Sequence, residues 1–197
     1  FIGRFTMQSQ AQLINDLSFK FNWYATYSSQ EDEYRGLFRT PGQRTQTPRY
    51  VDFNTLLLLY EADDYELVLG KDYIDSGVSE LYSPVDRFGL NNISTPTLPY
   101  KMGVWQAGIN YFLSDDVLSF KIAPINEKLL LPSGASRWAG NTNDPQFTYL
   151  ASNINIKQQN YSVRLENMAY LLQYKASRRG YDFFALLHHG PASYPTL

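Results

Sequence analysis

The stretch LSFKFNWYATYSS, residues 17–29, alternates apolar and polar side chains along most of its length. From Leu17 to Tyr27 the odd-numbered positions carry leucine, alanine or an aromatic ring, while the even-numbered positions are mostly serine, lysine, asparagine and threonine. Successive side chains of a β-strand point to opposite sides of a sheet, so a period of two indicates a strand with two different faces. The stretch predicts a strand with one aromatic-rich face and one polar face.

The same alternation recurs along the chain and predicts eight strands in four hairpins. In the third strand, Val51, Phe53, Thr55, Leu57 and Leu59 are expected to share the apolar face. The third hairpin is predicted to join residues 101–113 to 118–122, and the fourth to join 161–174 to 181–189. Each hairpin pairs neighbouring strands antiparallel, because a short turn reverses the chain.

The connections between these strands alternate in length. Short ones are predicted at about residues 14–16, 61–65, 114–116 and 175–180, and long ones at about 29–49, 74–100 and 125–159. Compact soluble domains rarely carry several loops beyond about 12–15 residues, whereas bacterial outer-membrane barrels combine short periplasmic turns with long extracellular loops. We therefore expect an all-β fold, a transmembrane antiparallel β-barrel formed by residues 1–197 as a single domain or part of one.

The composition excludes several other classes of protein and of site. Aromatic residues make up 16% of the chain and charged residues 18%, against roughly 25% charged residues in ordinary soluble domains. The formal charge is −2 and the basic residues are scattered, so nucleic acid is not expected as a partner. The chain has no cysteine, which excludes a disulfide framework and a thiolate metal site. No apolar run reaches the ~20 residues that a membrane-spanning helix needs.

The polar face of the predicted strands is expected to line a water-filled lumen. It carries more charged and amide side chains than the inside of a soluble β-sandwich tolerates, because an unpaired buried charge is costly. The predicted pore-lining residues are Arg4, Gln8, Gln10, Lys20, Asn22, Asp52, Asn54, Gln106, Asn110, Lys121, Arg164 and Glu166. Aromatic residues near the strand ends fit the girdles that such barrels place at the membrane interfaces. The alternative is a soluble sheet whose polar face is solvated.

The order of turns and loops adds an expectation about barrel size. If the short turns are periplasmic, both ends of this chain lie outside the cell, whereas a complete single-chain barrel normally keeps both termini in the periplasm. The last residues, SYPTL, also lack the aromatic strand that ends such proteins. We therefore expect an eight-strand segment of a larger barrel, with roughly 14–18 strands in all.

A series of motifs between residues 50 and 195 resembles bacterial outer-membrane porin-like barrels. The shared pattern is a strand that ends in Leu-x-Leu-Gly-Arg/Lys-Gln, then a Trp-Gly pair, a Pro-x-Asp-x-Phe loop and an Arg/Lys-x-Gly-Val start of the next strand. The matching residues are Leu67, Leu69, Gly70, Lys71, Gly77, Pro84, Asp86, Phe88, Lys101, Gly103 and Val104, while Asp72 and Ser76 replace the usual Gln and Trp. The resemblance implies that loop 74–100 folds partly into the pore, where Asp75, Glu80, Asp86 and Arg87 would form a charged constriction.

The function expected from these patterns is passive. A barrel of this kind lets small solutes or ions cross the outer membrane of a bacterial cell, with outer-membrane lipid around it. A second hypothesis is a sleeve or scaffold for a partner protein, such as a multihaem cytochrome in an electron-transfer complex. Any haem would belong to that partner, because the chain has no Cys-x-x-Cys-His motif.

Catalysis, a cofactor and a metal site are not expected. The two histidines, His188 and His189, are adjacent in the sequence, so a regular strand directs them to opposite faces and they cannot chelate one ion. A hydrolase would need one of them beside Asp182 or Ser193, and no motif fixes that geometry.

Overall fold

A computed structural model describes residues 2–29, 37, 49–74, 90–92, 100–125, 130, 164–178 and 180–191 of the chain. These residues form one eight-stranded antiparallel sheet and one two-stranded sheet. Within them, no helix is long and apolar enough to cross a bilayer. The prediction of an all-β, antiparallel fold with eight main strands is confirmed, and the eight-stranded sheet is open.

The strands follow one another along the chain as a meander. They are β1 (Ile2–Ile14), β2 (Leu17–Ser28), β3 (Val51–Glu61), β4 (Tyr65–Asp72), β5 (Leu90–Asn92), β6 (Tyr100–Met102), β7 (Val104–Leu113), β8 (Asp116–Ala123), β9 (Ala169–Arg178) and β10 (Tyr181–His189). The large sheet has the order β1-β2-β3-β4-β7-β8-β9-β10, and β5 pairs with β6. Strands β1 and β10 are therefore the two edges of the described sheet.

Three of the four short turns lie where the sequence predicts them, and the fourth, predicted at 175–180, is shorter because β9 extends to Arg178. The turn between β7 and β8 places Ser114 at a φ of 56°, and the turn between β9 and β10 places Gly180 at a φ of 82°. Both values lie in the left-handed region that tight hairpin turns require, and glycine adopts it without steric cost. The chain therefore reverses over a few residues after each of these strands.

Register assigns every strand to two faces, because directly opposite residues of paired strands share a side of the sheet. We call the side that carries Phe19 and Phe21 the aromatic face, and the side that carries Lys20 and Asn22 the polar face. Lys20 lies opposite Gln10 of β1 and Leu57 of β3, whereas Phe19 lies opposite Leu58. The predicted division of β2 into two chemically different faces agrees with this register.

A bulge in β3 changes the faces of that strand. The register shifts where Asn22 pairs with Thr55 and Trp23 pairs with Phe53, so Asn54 is the extra residue. Beyond this point Thr55 and Leu57 lie on the polar face. The prediction that Thr55, Leu57 and Leu59 share the apolar face with Phe53 was wrong, because a bulge reverses the alternation of all later residues.

The predicted strand 101–113 is divided at Gly103. Residues before it belong to β6 in the small sheet, and residues after it to β7 in the large one. A Cβ atom at Gly103 would lie 2.0 Å from the carbonyl oxygen of Asn54, so the two backbones approach more closely than any other residue allows. The chain leaves the small sheet and joins the large one at this contact.

The predicted strand 161–174 begins only at Ala169. Before it, Leu165–Asn167 is a 3-10 helix, in which the Asn167 N–H donates to the Arg164 carbonyl at 2.9 Å. The neighbouring strand β8 ends at Ala123, next to Pro124, which has no backbone N–H to donate to a sheet. Arg164 and Glu166 therefore lie outside the sheet, and their predicted place on a strand's polar face was wrong.

Buried apolar side chains gather on the polar face at the end of the long connections. Leu90 of β5, Met102 of β6 and Leu130 pack with side chains of the large sheet, which are Val104, Ala123, Ala169 and Leu171. Leu171 lies opposite Lys121 and so belongs to the polar face. The small sheet thus covers one end of this face, which we call the loop end; the opposite end, with the short turns, is the turn end.

Candidate functional site

Two tyrosines join the small sheet to the polar face at the loop end. Tyr24 of β2 is only 1% exposed. The Tyr100 hydroxyl of β6 donates to the Tyr24 hydroxyl at 2.8 Å, and the two rings meet edge to face with centroids 5.5 Å apart. The side-chain amide of Asn92 on β5 in turn donates to the Tyr100 hydroxyl. Both strands of the small sheet are therefore tied, directly or through Tyr100, to β2.

Arg4 of β1 covers these two rings. Its guanidinium carbon lies 3.8 Å from the centre of the Tyr100 ring and 5.0 Å from that of Tyr24. A cation over an aromatic face is attracted by the negative potential of the ring. Arg4 lies opposite Thr26 on the polar face, as predicted for a lumen residue. Its charge is thus held at the contact between the large sheet and the small one.

A buried ion pair lies beside this cluster. The Lys71 ammonium is 3.3 Å from Oδ1 of Asp52, with the side chains 3% and 6% exposed. The backbone N–H of Phe53 also donates to this carboxylate oxygen at 2.8 Å. Buried charges are tolerated when they are paired and hydrogen-bonded. Asp52, predicted to line the lumen, is therefore neutralised by Lys71.

Gly70 allows Lys71 to reach this position. Lys71 lies opposite Leu56 in the ladder, on the side of the sheet away from Asp52. Gly70 has a φ of 136°, and a Cβ atom there would lie 2.1 Å from the Leu56 carbonyl oxygen. This backbone conformation, which is costly for any residue with a Cβ atom, interrupts the regular alternation just before Lys71.

A row of polar contacts continues across β3, β4 and β7. The Thr55 hydroxyl donates to Oδ1 of Asp72 at 2.9 Å, and the side-chain amide of Gln106 donates to the Asp72 carbonyl at 3.0 Å. Further toward the turn end, the side-chain amide of Asn110 donates to Oε1 of Glu66 at 2.5 Å. Next to this row, burial and the Asp72 carboxylate raise the pKa of Tyr73, so its phenol stays neutral.

The other predicted lumen residues lie on the same face with different exposure. Gln8 and Gln10 are exposed, whereas Lys20, Asn22 and Lys121 are half-buried. Within the described ranges, Oδ1 of Asn22, Oε1 of Gln106 and Nε2 of Gln173 are buried without a hydrogen-bond partner. Buried polar atoms normally bond to protein or to water. This face is therefore chemically suited to contact with water.

Comparisons with known proteins found no relative of this chain. No family model matches the chain, and neither a curated protein nor a solved structure matches it. The resemblance to porin-like barrels, which rests on short motifs, stays a prediction. The chemistry of the site has to follow from its own geometry.

The structure brings together some predicted site residues and leaves others apart. Arg4, Asp52 and Gln106 belong to the connected cluster at the loop end. Asn54 is the bulge residue of β3, and Arg164 and Glu166 pair with each other at 3.5 Å in an exposed position away from the sheet. The predicted constriction residues Asp75, Glu80, Asp86 and Arg87 lie outside the described residues.

Several members of the cluster were not predicted as site residues, among them Tyr24, Lys71, Asn92 and Tyr100. Tyr24 carried a detectable signal, because it is the one aromatic residue among the even-numbered positions of residues 17–29. A large ring on the polar face indicates that something packs against it. The role of Lys71 had no comparable signal, because it depends on the irregular backbone at Gly70.

The histidines do not form a site with Asp182, and Ser193 lies outside the described residues. His189 packs against the Tyr170 ring, with ring centroids 6.2 Å apart. Asp182 and His188 are on the same strand but about 20 Å apart at the usual strand rise, beyond hydrogen-bond reach. Across the described part of the chain, no group of three or more His, Cys, Asp or Glu residues is placed to hold a metal ion.

Proposed function

We propose that the chain forms part of the wall of a transmembrane β-barrel in a bacterial outer membrane, and that its polar face lines a passage for small solutes or ions. The observation that carries this proposal is the inverted polarity of the sheet. Large apolar side chains are exposed on one face, and most of the buried polar side chains lie on the other.

The aromatic face has no protein cover in the described structure. Phe5 is 60% exposed, Leu69 59% and Leu187 71%. Its rings pack against one another, with centroids 5.7 Å apart for Phe5 and Trp23 and 5.8 Å apart for Phe21 and Phe53. Soluble proteins seldom expose so extended an apolar surface. Contact with lipid hydrocarbon explains both the exposure and the continuity of this face.

The polar face holds the opposite set of groups. Its buried side chains include Asp52, Thr55, Gln106, Ser119 and Gln173. Inside a soluble β-sandwich these groups would lose water without enough partners. In the proposed barrel they lie on the side that faces the lumen, which outer-membrane barrels keep polar.

Six of the eight strands of the large sheet also have suitable lengths, with 9–13 residues, while β4 and β8 have 8. Strands β1, β2 and β3 contain 13, 12 and 11 residues, longer than the ~5–6 residues usual in soluble sheets. A tilted strand needs about 9–11 residues to cross the hydrocarbon core. The two unpaired edges, β1 and β10, require further strands in a membrane, where an open sheet edge would leave backbone groups without partners. This supports a barrel larger than eight strands.

The small sheet narrows the passage in this proposal. Strands β5 and β6 both belong to the later part of the connection 73–103, and the small sheet packs on the polar face through Tyr100 and Met102. The predicted constriction residues Asp75, Glu80, Asp86 and Arg87 come between β4 and β5 in the sequence, so a charged constriction next to the small sheet is in keeping with this placement. The hydrogen bonds of Tyr100 and the stacking of Arg4 on its ring would hold the small sheet against the barrel wall.

Conductance measurements test the proposal. Purified protein reconstituted in planar bilayers is expected to give stepwise currents in a salt solution, and to change its gel mobility on heating when folded. Folded, membrane-inserted protein that carries no current would contradict the channel and favour a sleeve filled by a partner protein. Protein that is monomeric and folded in water without detergent would contradict the barrel itself.

A further inference from the structure

An ion pair lies on the aromatic face at the turn end. Asp116, the first residue of β8, is opposite Ala176 of β9, and Arg178 is the last residue of β9. The surrounding positions of this face carry leucine, phenylalanine and tyrosine, such as Leu118 and Phe183. A charged pair on a surface of this kind needs an explanation, because charges are expensive next to hydrocarbon.

The pair has a fixed geometry. Nη2 of Arg178 is 2.7 Å from Oδ2 of Asp116, and the Tyr174 hydroxyl donates to the same oxygen at 2.6 Å. The Asp116 side chain is 9% exposed, whereas that of Arg178 is 65% exposed. A guanidinium carries five N–H donors in a rigid plane. Asp116 therefore orients Arg178 while most of the Arg178 side chain stays accessible.

A groove begins at this guanidinium. It has a volume of about 450 Å³ and is lined on the aromatic face by Tyr174, Ala176, Arg178, Phe183 and Ala185; its sixth lining residue, Phe184, lies opposite Lys175 and so belongs to the polar face. Ala176 lies directly opposite Phe183, and Ala185 directly opposite Tyr174, so a small side chain faces a ring at each step. The groove is thus apolar along its length with a cation at one end.

We propose that this groove binds a phospholipid, with the phosphodiester on Arg178 and an acyl chain against Ala176, Phe183 and Ala185. The inference rests on the proposed function, because it needs the aromatic face to meet lipid. The planar donors of arginine match phosphate oxygens. The position also agrees with the turn end, where Tyr174 and Tyr181 have the amphipathic rings typical of a membrane interface. The ion pair thereby becomes part of a headgroup site.

Lipid titration followed by native mass spectrometry tests this site. The folded protein in detergent micelles is titrated with dioctanoylphosphatidylglycerol and, separately, with dioctanoylglycerol, which has the same acyl chains without the phosphate. Arg178→Gln is expected to weaken binding of the phosphate lipid about tenfold, the effect of losing a charged hydrogen bond. Binding of dioctanoylglycerol should stay unchanged.

Two further variants complete the design. Lys175→Gln removes an exposed cation from the same strand but from the polar face, and should change neither affinity. Arg178→Lys keeps a cation near Asp116 and the fold, and should retain only part of the phosphate preference because an ammonium lacks the planar fork. Equal affinity of the unmodified protein for both lipids, or equal losses in Arg178→Gln and Lys175→Gln, would overturn the site alone. A chain that folds in water without detergent would overturn the barrel as well.

Discussion

Two ion pairs show how the protein accommodates charge in a buried and in an exposed position. Lys71 and Asp52 are almost completely buried and bonded to each other, whereas Arg164 and Glu166 form an exposed pair with side chains 70% and 69% accessible. The two pairs contain the same types of charge in opposite environments. Removing one partner should therefore have very different consequences in each.

Replacing Lys71 tests the buried pair. Lys71→Met leaves the Asp52 carboxylate buried without its partner, which should lower the free energy of unfolding by about 3–5 kcal/mol. The double variant Lys71→Met, Asp52→Leu should recover most of this loss, since an apolar pair of similar volume needs no counter-charge. Urea unfolding of the protein in micelles measures both. Arg164→Met is the control and should cost less than about 1 kcal/mol; a similar loss in both single variants would contradict the role of burial.

Gly103 and Gly180 are glycines for different reasons: lack of space for a Cβ atom at Gly103, and a positive φ at Gly180. Gly103→Ala would place a Cβ atom 2.0 Å from the Asn54 carbonyl oxygen, whereas at Gly180 no atom lies within 4 Å and only the φ of 82° is unfavourable. Gly180→Ala should cost about 1–2 kcal/mol, and Gly103→Ala distinctly more, because a backbone segment has to move. Thermal unfolding followed by gel mobility ranks the two; equal losses would mean that β6 and β7 can separate from β3 easily.

Among the strands, alternation predicted most of the fold but not its irregularities. The turns, the antiparallel order and the faces of β1 and β2 follow from a period of two, which is a local property of the sequence. The later half of β3 and the start of β9 do not, because they depend on a bulge at Asn54 and on the end of the neighbouring strand β8. Neither feature can be recognised from the alternation of the residues whose position it changes.

The candidate site likewise contains residues that the sequence predicted and residues that it did not. Sequence alternation placed Arg4, Asp52 and Gln106 on the polar face, where the structure has them. Their partners were out of reach of this reasoning, because Tyr100 comes from a separate small sheet and Lys71 from a strand interrupted at Gly70. A pattern shows which face a residue occupies; the contacts on that face depend on how distant segments meet.

A pair of arginine substitutions on β2 tests the assignment of the faces. Phe21→Arg puts a charge on the aromatic face and should destabilise insertion by about 2–4 kcal/mol near the middle of the bilayer. Asn22→Arg, one residue away on the polar face, should be tolerated. Folding into lipid vesicles, followed by heat-modifiable gel mobility, compares the two variants. Equal folding of both would contradict a lipid-facing aromatic surface.

Because of the bulge in β3, Leu58 and Leu57 lie on the opposite faces from those that simple alternation predicts. Leu58 lies opposite Phe19 on the aromatic face, whereas Leu57 lies opposite Lys20. The chain has no cysteine, so Leu58→Cys and Leu57→Cys each give a single labelling position. A fluorophore at residue 58 should be quenched by a lipid-soluble quencher, and one at residue 57 much less. The opposite order would mean that the bulge is absent in the membrane.

For the protein as a whole, the position of the small sheet tests the proposed passage. The small sheet is held over the polar face by Tyr100 and Arg4, so weakening this contact should widen the passage. Tyr100→Phe combined with Arg4→Gln is expected to raise single-channel conductance or add fluctuating open levels in planar bilayers. Gln8→Ala, an exposed position on the same face of β1, is the matched control and should keep the original conductance. An unchanged current in the double variant would show that the small sheet does not restrict flow.

The meander order has a kinetic consequence. Among the described strands of the large sheet, each one pairs only with its neighbours along the chain, so the sheet can lengthen stepwise, hairpin by hairpin, with few distant contacts to find. The steps from β2 to β3, from β4 to β7 and from β8 to β9 must first close long connections, and closing a longer loop costs more chain entropy. Assembly should therefore pause at these three joints, and partly assembled intermediates should end at β2, β4 or β8.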